Sequence, residues 1–483
     1  MFEKIYFMGI KGVGMATLAV IAKQAGIDIA GSDIAEQFIT DKILNDEGIK
    51  VLEGFNEENV KSFFADTPKE LCLFIATGAH NGFDNVEAEY ARNIGVKVID
   101  HGEAVGFFMS GKPFGREDFE GISVSGSHGK TTVSGMIATI LSEANLDPSY
   151  TIGTSVIFPI GAAGHYGQGR YFVAEADEYV AEANYDKVPK FFYQKPKALL
   201  INNVDFDHPD YYHDLAAVKN AYLDWASRLT NGFIVANGDD VNTQDVISKL
   251  DPNIRVVRFG TDKTNDFVVT DFVQEGLGST FAVYRGDTKL GDFKISIPGY
   301  HSAKNACGVI AALVELGVGV DKISANLPKF TGVKRRLEKI GVTKDGVEIY
   351  DDYAHHPEEI RKTLEAVRVA FPDKKVTVIF QAHTFSRTKA LLPEFAASFT
   401  NIHELIILPT FASLRDGADH TVEDDKEFVE KVRLTQANVK LIEKPQDVVE
   451  YVRKNLTDPS SLVITMGAGN VYKIGYDLIA NSE

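Results

Sequence analysis

Cysteine, positive charge and long apolar runs are all scarce in this chain. Its 483 residues include two cysteines, Cys72 and Cys307. They lie far apart in sequence, which argues against a disulfide framework and fits a reducing cytoplasm. The start, MFEKIYFMGI, has no basic segment leading into a long apolar stretch, so no secretory leader is expected. No apolar run reaches the roughly 20 residues that a membrane helix needs, so no membrane insertion is expected. Cations are outnumbered, 50 Lys and Arg against 68 Asp and Glu, for a net charge of −18. That balance argues against broad nucleic-acid binding, while glycine turns and a few cations can still hold anionic ligands. Long-period repeats and low-complexity tracts are also absent.

What is present reads as an α/β protein of three units, the number its length suggests. Residues 1–106 alternate strands (IYFMGI, CLFIAT, VKVID) with helical stretches such as MATLAVIAKQAG, which predicts a parallel sheet. The segment FFMSGKPFGREDFEG, 107–121, is richer in Gly, Pro and charge and reads as a linker. A second unit, 122–329, has strands YFVAEAD, ALLINNV and FIVANGDD. Within it, residues 252–298 alternate (FVVTDFV, STFAVYR, FKISIP) and read as a small antiparallel β ribbon. LPKFTGVK, 327–334, marks the next boundary, and residues 330–483 return to strands separated by helices.

The stretch ISVSGSHGKTT carries the most chemistry. Gly126 and Gly129 allow a tight turn whose N–H groups converge on one anion, and the helix that follows adds its positive end. Lys130 supplies a full charge, and the Thr131 hydroxyl suits Mg²⁺. A complete phosphate-loop pattern requires glycine at 124, where Val124 stands, so this is a shortened variant. Gly126, Ser127, His128, Gly129, Lys130, Thr131 and Thr132 are therefore the candidate nucleotide-phosphate contacts.

Other groups stand near strand ends. Gly9, Gly12 and Gly14 in MGIKGVGM give G-x-x-G-x-G, near the dinucleotide fingerprint without matching it, and Asp33 follows about 20 residues on, where an acid can meet a ribose. EADEYV contributes Glu175, Asp177 and Glu178. NNVDFDHPD contributes Asp205, Asp207, His208 and Asp210, a set suited to Mg²⁺ beside a phosphate loop. VKRRLE, YDDYAHHPEE and FQAHTFSRTKALL each follow a strand of the third unit and point to a shared cleft.

GSHGKTT, EADE, NNVDFDHPDYY, PGYHSAKNA, GVKRRLE, DDYAHHPEEI, FQAHTFSRTKALL and ITMGAGNVYKIG, in this order, resemble the Mur ligase family of peptidoglycan synthesis over nearly the whole chain. The resemblance implies a UDP-binding Rossmann-like first domain, a central ATPase domain and a Rossmann-like third domain. It also implies cytoplasmic work as a monomer or homodimer. The implied reaction converts the lactoyl carboxylate of UDP-N-acetylmuramate to an acyl phosphate with ATP and Mg²⁺, and an amine then displaces phosphate. By matching position, Lys130 would meet the β- and γ-phosphates, and Thr131, Glu175 and His208 the metal. His301, Asn305, Arg336 and Asp352 would surround ATP. Gly12, Val13, Gly14 and Asp33 would hold the UDP part, His383 and Arg387 the incoming amine and its carboxylate, and His356 would bind substrate. Loss of Lys130 is expected to abolish turnover without loss of fold. Closure of the third domain over the second is expected too.

The acceptor is read as L-alanine from HTFSRT and MGAGN. The long stretch EYVAEANYDKVPKFFYQKP instead resembles the branch that joins a whole tripeptide, L-Ala-γ-D-Glu-meso-diaminopimelate, to the same UDP-sugar. DHGEAV, 100–105, stands where the family usually carries Arg-x-Glu, Lys11 replaces a glycine, and Asn470 an aspartate. Two other classes fit the motifs less well. A dinucleotide oxidoreductase leaves the phosphate loop and its acids unexplained, and a non-catalytic nucleotide switch fits poorly with an intact Lys130, Glu175 and His208.

Overall fold

The computed structural model describes residues 1–182, 186–208, 211–411 and 422–480. Three sheet units face a common cleft. The first sheet consists of Lys4–Met8 (β1), Asp28–Asp33 (β2), Val51–Glu53 (β3), Cys72–Ala76 (β4) and Lys97–Asp100 (β5). It is all parallel, in the order β3-β2-β1-β4-β5. β1 and β4 are near-continuous apolar runs because helices cover both faces. The order reverses direction between β1 and β4, so a crevice opens beyond their C-terminal ends.

The central sheet is built from Glu120–Ser125 (β6), Ser149–Phe158 (β7), Gly161–His165 (β8), Tyr171–Glu175 (β9), Ala198–Ile201 (β12), Phe233–Asn237 (β13), Arg255–Gly260 (β14), Phe267–Glu275 (β15), Gly278–Arg285 (β16), Thr288–Ile295 (β17) and Gly332–Val333 (β18). Val180–Glu182 (β10) and Asp186–Pro189 (β11) form a separate antiparallel pair. The central order is β17-β16-β15-β14-β13-β12-β6-β9-β7-β18, with β8 on β7. The 252–298 stretch holds the antiparallel ribbon β15–β16–β17 at one edge of this sheet. β14 pairs in parallel with β13 and with β15 before β15, β16 and β17 turn antiparallel. β7 escapes the apolar pattern because it buries Ser149, Thr151, Thr154 and Ser155.

The third sheet contains Glu338–Val342 (β19), Glu348–Asp352 (β20), Lys375–His383 (β21), Glu404–Phe411 (β22), Val439–Leu441 (β23) and Ser461–Met466 (β24), in the order β19-β20-β24-β21-β22-β23. It is parallel apart from β19.

Two contacts fix the first unit on the second. The helix Val13–Gln24 lies against β7 and β8, where the Thr17 and Thr151 hydroxyls meet at 2.8 Å. The 107–121 stretch is an aromatic clasp rather than a free tether. Its first three residues close the helix His101–Met109, and buried Phe114 packs between Phe108 (5.1 Å) and Tyr166 (5.0 Å). Phe119 packs on Phe172 at 5.4 Å, and Arg116 donates to Asp118 and to the carbonyls of Gly167 and Gly169. Phe172 and Ala174 of β9 accordingly share a core with the first unit.

Candidate active site

The phosphate loop follows β6. Gly126 (φ 138°) and Gly129 (φ 85°) adopt backbone that side chains avoid, and the helix Lys130–Glu143 starts at once. A Cβ on Gly129 would lie 2.7 Å from Asn202 Nδ2, so the turn needs glycine for room as well. Residues after β12 brace it from outside. Asn203 accepts from the His128 amide (2.8 Å), and Asn202 and Asn203 donate to the His128 carbonyl. Ser127 exchanges hydrogen bonds with Asp205, so its hydroxyl holds the loop's shape rather than facing a ligand.

Lys130 Nζ donates to the Gly126 carbonyl (2.7 Å) and to Glu178 (2.8 Å), with Asp177 at 3.9 Å. Burial opposes its charge, but Glu178 and Asp177 outweigh burial and hold its pKa above the ordinary value. Glu175, ending β9, accepts from the Gly153 amide (2.7 Å). Its pKa is raised by burial, against the Gly153 amide, Lys130 and the Thr131 hydroxyl, which hydrogen-bonds to it. His208 lines the same cavity as Thr131 and Glu175. It stands with Asp177 and Glu178, their ligand atoms within 4.8 Å of one another. Both groups edge the same cavity, and their oxygen donors fit a hard divalent cation. Asp210 lies outside the described residues.

On the opposite wall, Gly9 (φ 75°) turns the chain out of β1, and Gly12 precedes the helix Val13–Gln24. A Cβ on Gly14 would collide with the His101 ring. Asp33 is buried and accepts from the Lys11 and Ile34 amides at 2.8 Å each, so it braces the loop.

Two cavities result. The larger, about 710 Å³, brings together Gly12, Val13 and Gly14, Lys130, Thr131 and Glu175, and Arg336, Tyr353 and His355 of the third unit. The other, about 570 Å³, lies behind the phosphate loop and gathers His128, Gly129, Thr132, His301, Asn305, Arg336 and Asp352. Burial, then Lys362 and Lys304, lowers the His301 pKa to about 4, leaving a neutral ring. Burial raises Asp352 to about 6 against Arg336 and the Ala354 and Leu337 amides.

The three residues expected at the amine and substrate do not line either cavity. His356 caps the helix Pro357–Ala370 by accepting from the Glu358 amide, and its ring lies 4.7 Å from His128. His383 stacks on Phe411 at 5.7 Å. Arg387 is buried in an ion pair with Asp207 (2.7 Å), joining the third unit to the second. Groups the sequence reading left unassigned face the larger cavity instead, among them Tyr353, His355, Phe411 and Lys473. Lys190 is another, and Glu359 reaches across the interface to His128 (3.6 Å) while pairing with Arg336 of its own unit (3.3 Å).

Three nucleotide-type sheet units with their strand ends on one cleft, acids beside a phosphate loop and a glycine loop opposite define an enzyme that joins substrates across domains. Residues 4–113 match the family described as Mur ligase family, catalytic domain, residues 124–313 the Mur ligase middle domain, and residues 335–469 the Mur ligase, glutamate ligase domain. The chain belongs to the Mur ligase family. It is 36% identical over 477 residues to UDP-N-acetylmuramate--L-alanine ligase of Desulfitobacterium hafniense, covering 98% of this chain and 99% of that one. It is 37% identical over 484 residues to the enzyme of the same name from Caldanaerobacter subterraneus subsp. tengcongensis, covering 100% and 98%. Among solved structures, the UDP-N-acetylmuramate-alanine ligase of Thermotoga maritima superposes with a TM-score of 0.77 at 24% identity, covering 98% of both chains. The murein peptide ligase of Psychrobacter arcticus gives 0.70 at 23%, also covering 98% of both, and shares the fold.

Proposed function

We infer that this chain joins L-alanine to the lactoyl carboxylate of UDP-N-acetylmuramate with ATP, releasing ADP and phosphate, in peptidoglycan biosynthesis. One observation carries the reading: the Gly12–Gly14 loop and the Lys130–Thr131 loop open on one cavity that the third unit closes with Arg336, Tyr353 and His355. A UDP-sugar on the first loop would extend its carboxylate toward a nucleotide phosphate on the second.

A carboxylate is a poor acyl donor because oxide is a poor leaving group. A carboxylate oxygen would attack the γ-phosphorus as the bond to ADP breaks. The alanine nitrogen would then bond to the carbonyl carbon, losing its proton, and phosphate would depart with the old carboxylate oxygen. Catalysis of this kind rests on positioning and on charge placed where it develops. Lys130 would hold the transferring phosphate, released from Glu178 for that purpose. Thr131, Glu175 and His208, with Asp177 and Glu178, would hold Mg²⁺, which neutralises phosphoryl charge when bound. The smaller cavity, with His301, Asn305 and Asp352, would take the rest of ATP.

The test is phosphate release by the purified chain with ATP, Mg²⁺ and UDP-N-acetylmuramate, with products identified by mass. L-Alanine should give phosphate and UDP-N-acetylmuramoyl-L-alanine. Release only with L-Ala-γ-D-Glu-meso-diaminopimelate would move the reaction to peptide recycling. Release with neither would end the reading.

A further inference from the structure

The turn Lys190–Tyr193 lies on the helix His101–Met109 of the first unit, and two glycines of that helix make the contact possible. A Cβ on Gly106 would collide with the Tyr193 carbonyl, and one on Gly102 would lie 3.0 Å from Lys190 Cγ. The stem of Lys190 thus runs along the first turn of the helix, one residue from His101. Its ammonium donates to Asp177 (2.8 Å) and reaches the larger cavity on the wall that holds Gly12, Gly14 and His101.

A diphosphate on that wall would meet the loop amides and the helix N-terminus, and a cation beside it would add a charged hydrogen bond. Lys11 is tied back by the Ile34 and Glu36 carbonyls (2.9 Å each) and by Asp41. His101 presses on Gly14, and its Nε2 is buried without a hydrogen-bond partner. Burial, and then the charge of Lys190, lowers the His101 pKa to about 4, so the ring is neutral at pH 7. Among the described residues, Lys190 is the cation that lies on the helix His101–Met109 and lines the cavity beside His101. Asp177 aims it, and the same carboxylate faces Lys130 at 3.9 Å, so one acid spans the cations of both loops.

We propose that Lys190 binds the diphosphate of the sugar nucleotide against the Gly12–Gly14 loop, with Asp177 as the positioning residue that aims its ammonium. The nature of the nucleotide rests on the activity inferred above. The role is specific to the first-loop ligand, since Lys190 faces that wall and stands away from the cavity behind the phosphate loop.

The experiment is calorimetric titration of the full chain with UDP-N-acetylmuramate, and separately with ATP, for wild type, Lys190→Met and Lys190→Arg. Lys190→Met should weaken UDP-N-acetylmuramate about tenfold or more, the usual cost of losing a charged hydrogen bond, and leave ATP within about twofold. Lys190→Arg should retain most of the affinity. UDP-N-acetylmuramate binding by Lys190→Met within twofold of wild type would overturn the proposal, as would equal weakening of ATP. A loss in Lys190→Arg as large as in Lys190→Met would reduce Lys190 to packing and overturn it too. Should Lys190→Met fail to fold, Lys190→Gln takes its place under the same criteria. A wild-type chain that does not bind UDP-N-acetylmuramate would instead end the activity reading.

Discussion

Lys130 has two partners to satisfy, a phosphate in turnover and Glu178 at rest. The Glu178 side chain is 1% exposed, and Lys130 is its ion-pair partner at 2.8 Å. Removing one member of a buried pair leaves the other charge stranded, which costs about 3–5 kcal/mol. The expectation from sequence, that loss of Lys130 spares the fold, therefore changes. Lys130→Ala should abolish ATP-dependent phosphate release and also lower the unfolding free energy by about 3 kcal/mol. Adding Glu178→Gln should return most of the stability and none of the turnover. Denaturant unfolding of both variants checks this, and a fully stable Lys130→Ala would refute the pairing.

Elements carry the site as much as residues do. The helix Val13–Gln24 begins in the first loop and ends in a core shared with β9, so its seat on β7 and β8 sets the distance between the two loops. That seat depends on Gly164, where a Cβ would collide with the Thr17 backbone. Backbone cannot swing aside as a long side chain can, and overpacking of this kind costs about 1–3 kcal/mol. Gly164→Ala should lose stability in that range and raise the apparent KM for UDP-N-acetylmuramate more than that for ATP. Steady-state kinetics would show this. Equal shifts in both constants would mean that the helix does not set the spacing.

At the scale of the whole molecule, the third unit is held on the second by charge. Arg387 meets Asp207 and His128 lies 3.6 Å from Glu359 across the interface, while Arg336 steadies Glu359 and Asp205 steadies His128 from within their own units. Burial works against charge on His128, but Asp205 and Glu359 prevail and raise its pKa to about 9. Unfolded histidine titrates near 6.5. The charged ring therefore stabilises the closed arrangement fully below about pH 6.5, and the benefit drains away as pH rises through about 9, up to roughly 3 kcal/mol. Urea midpoints should fall between pH 6.5 and 9 in the wild type and flatten in His128→Gln. A wild-type profile level across that window would remove His128 from the interface energetics.

The sequence by itself determined the parts whose physics is local. A turn at GSHGKTT needs glycine at 126 and 129 whatever lies around it, and apolar runs such as IYFM can only be strands buried on both faces, so loops, sheets and their order in the chain were legible. The acids of EADE and NNVDFDH were legible as a set for the same reason, because they directly follow strands. What only the tertiary structure decided is which charge meets which. Arg387 and Asp207 are 180 residues apart, and their pairing joins the third unit to the second. Asp33 holds the Lys11 amide. His208 fell in with Asp177 and Glu178. Such pairings follow from how helices and sheets dock, since a buried charge must find whatever opposite charge the packing brings within reach, and no local pattern records that choice.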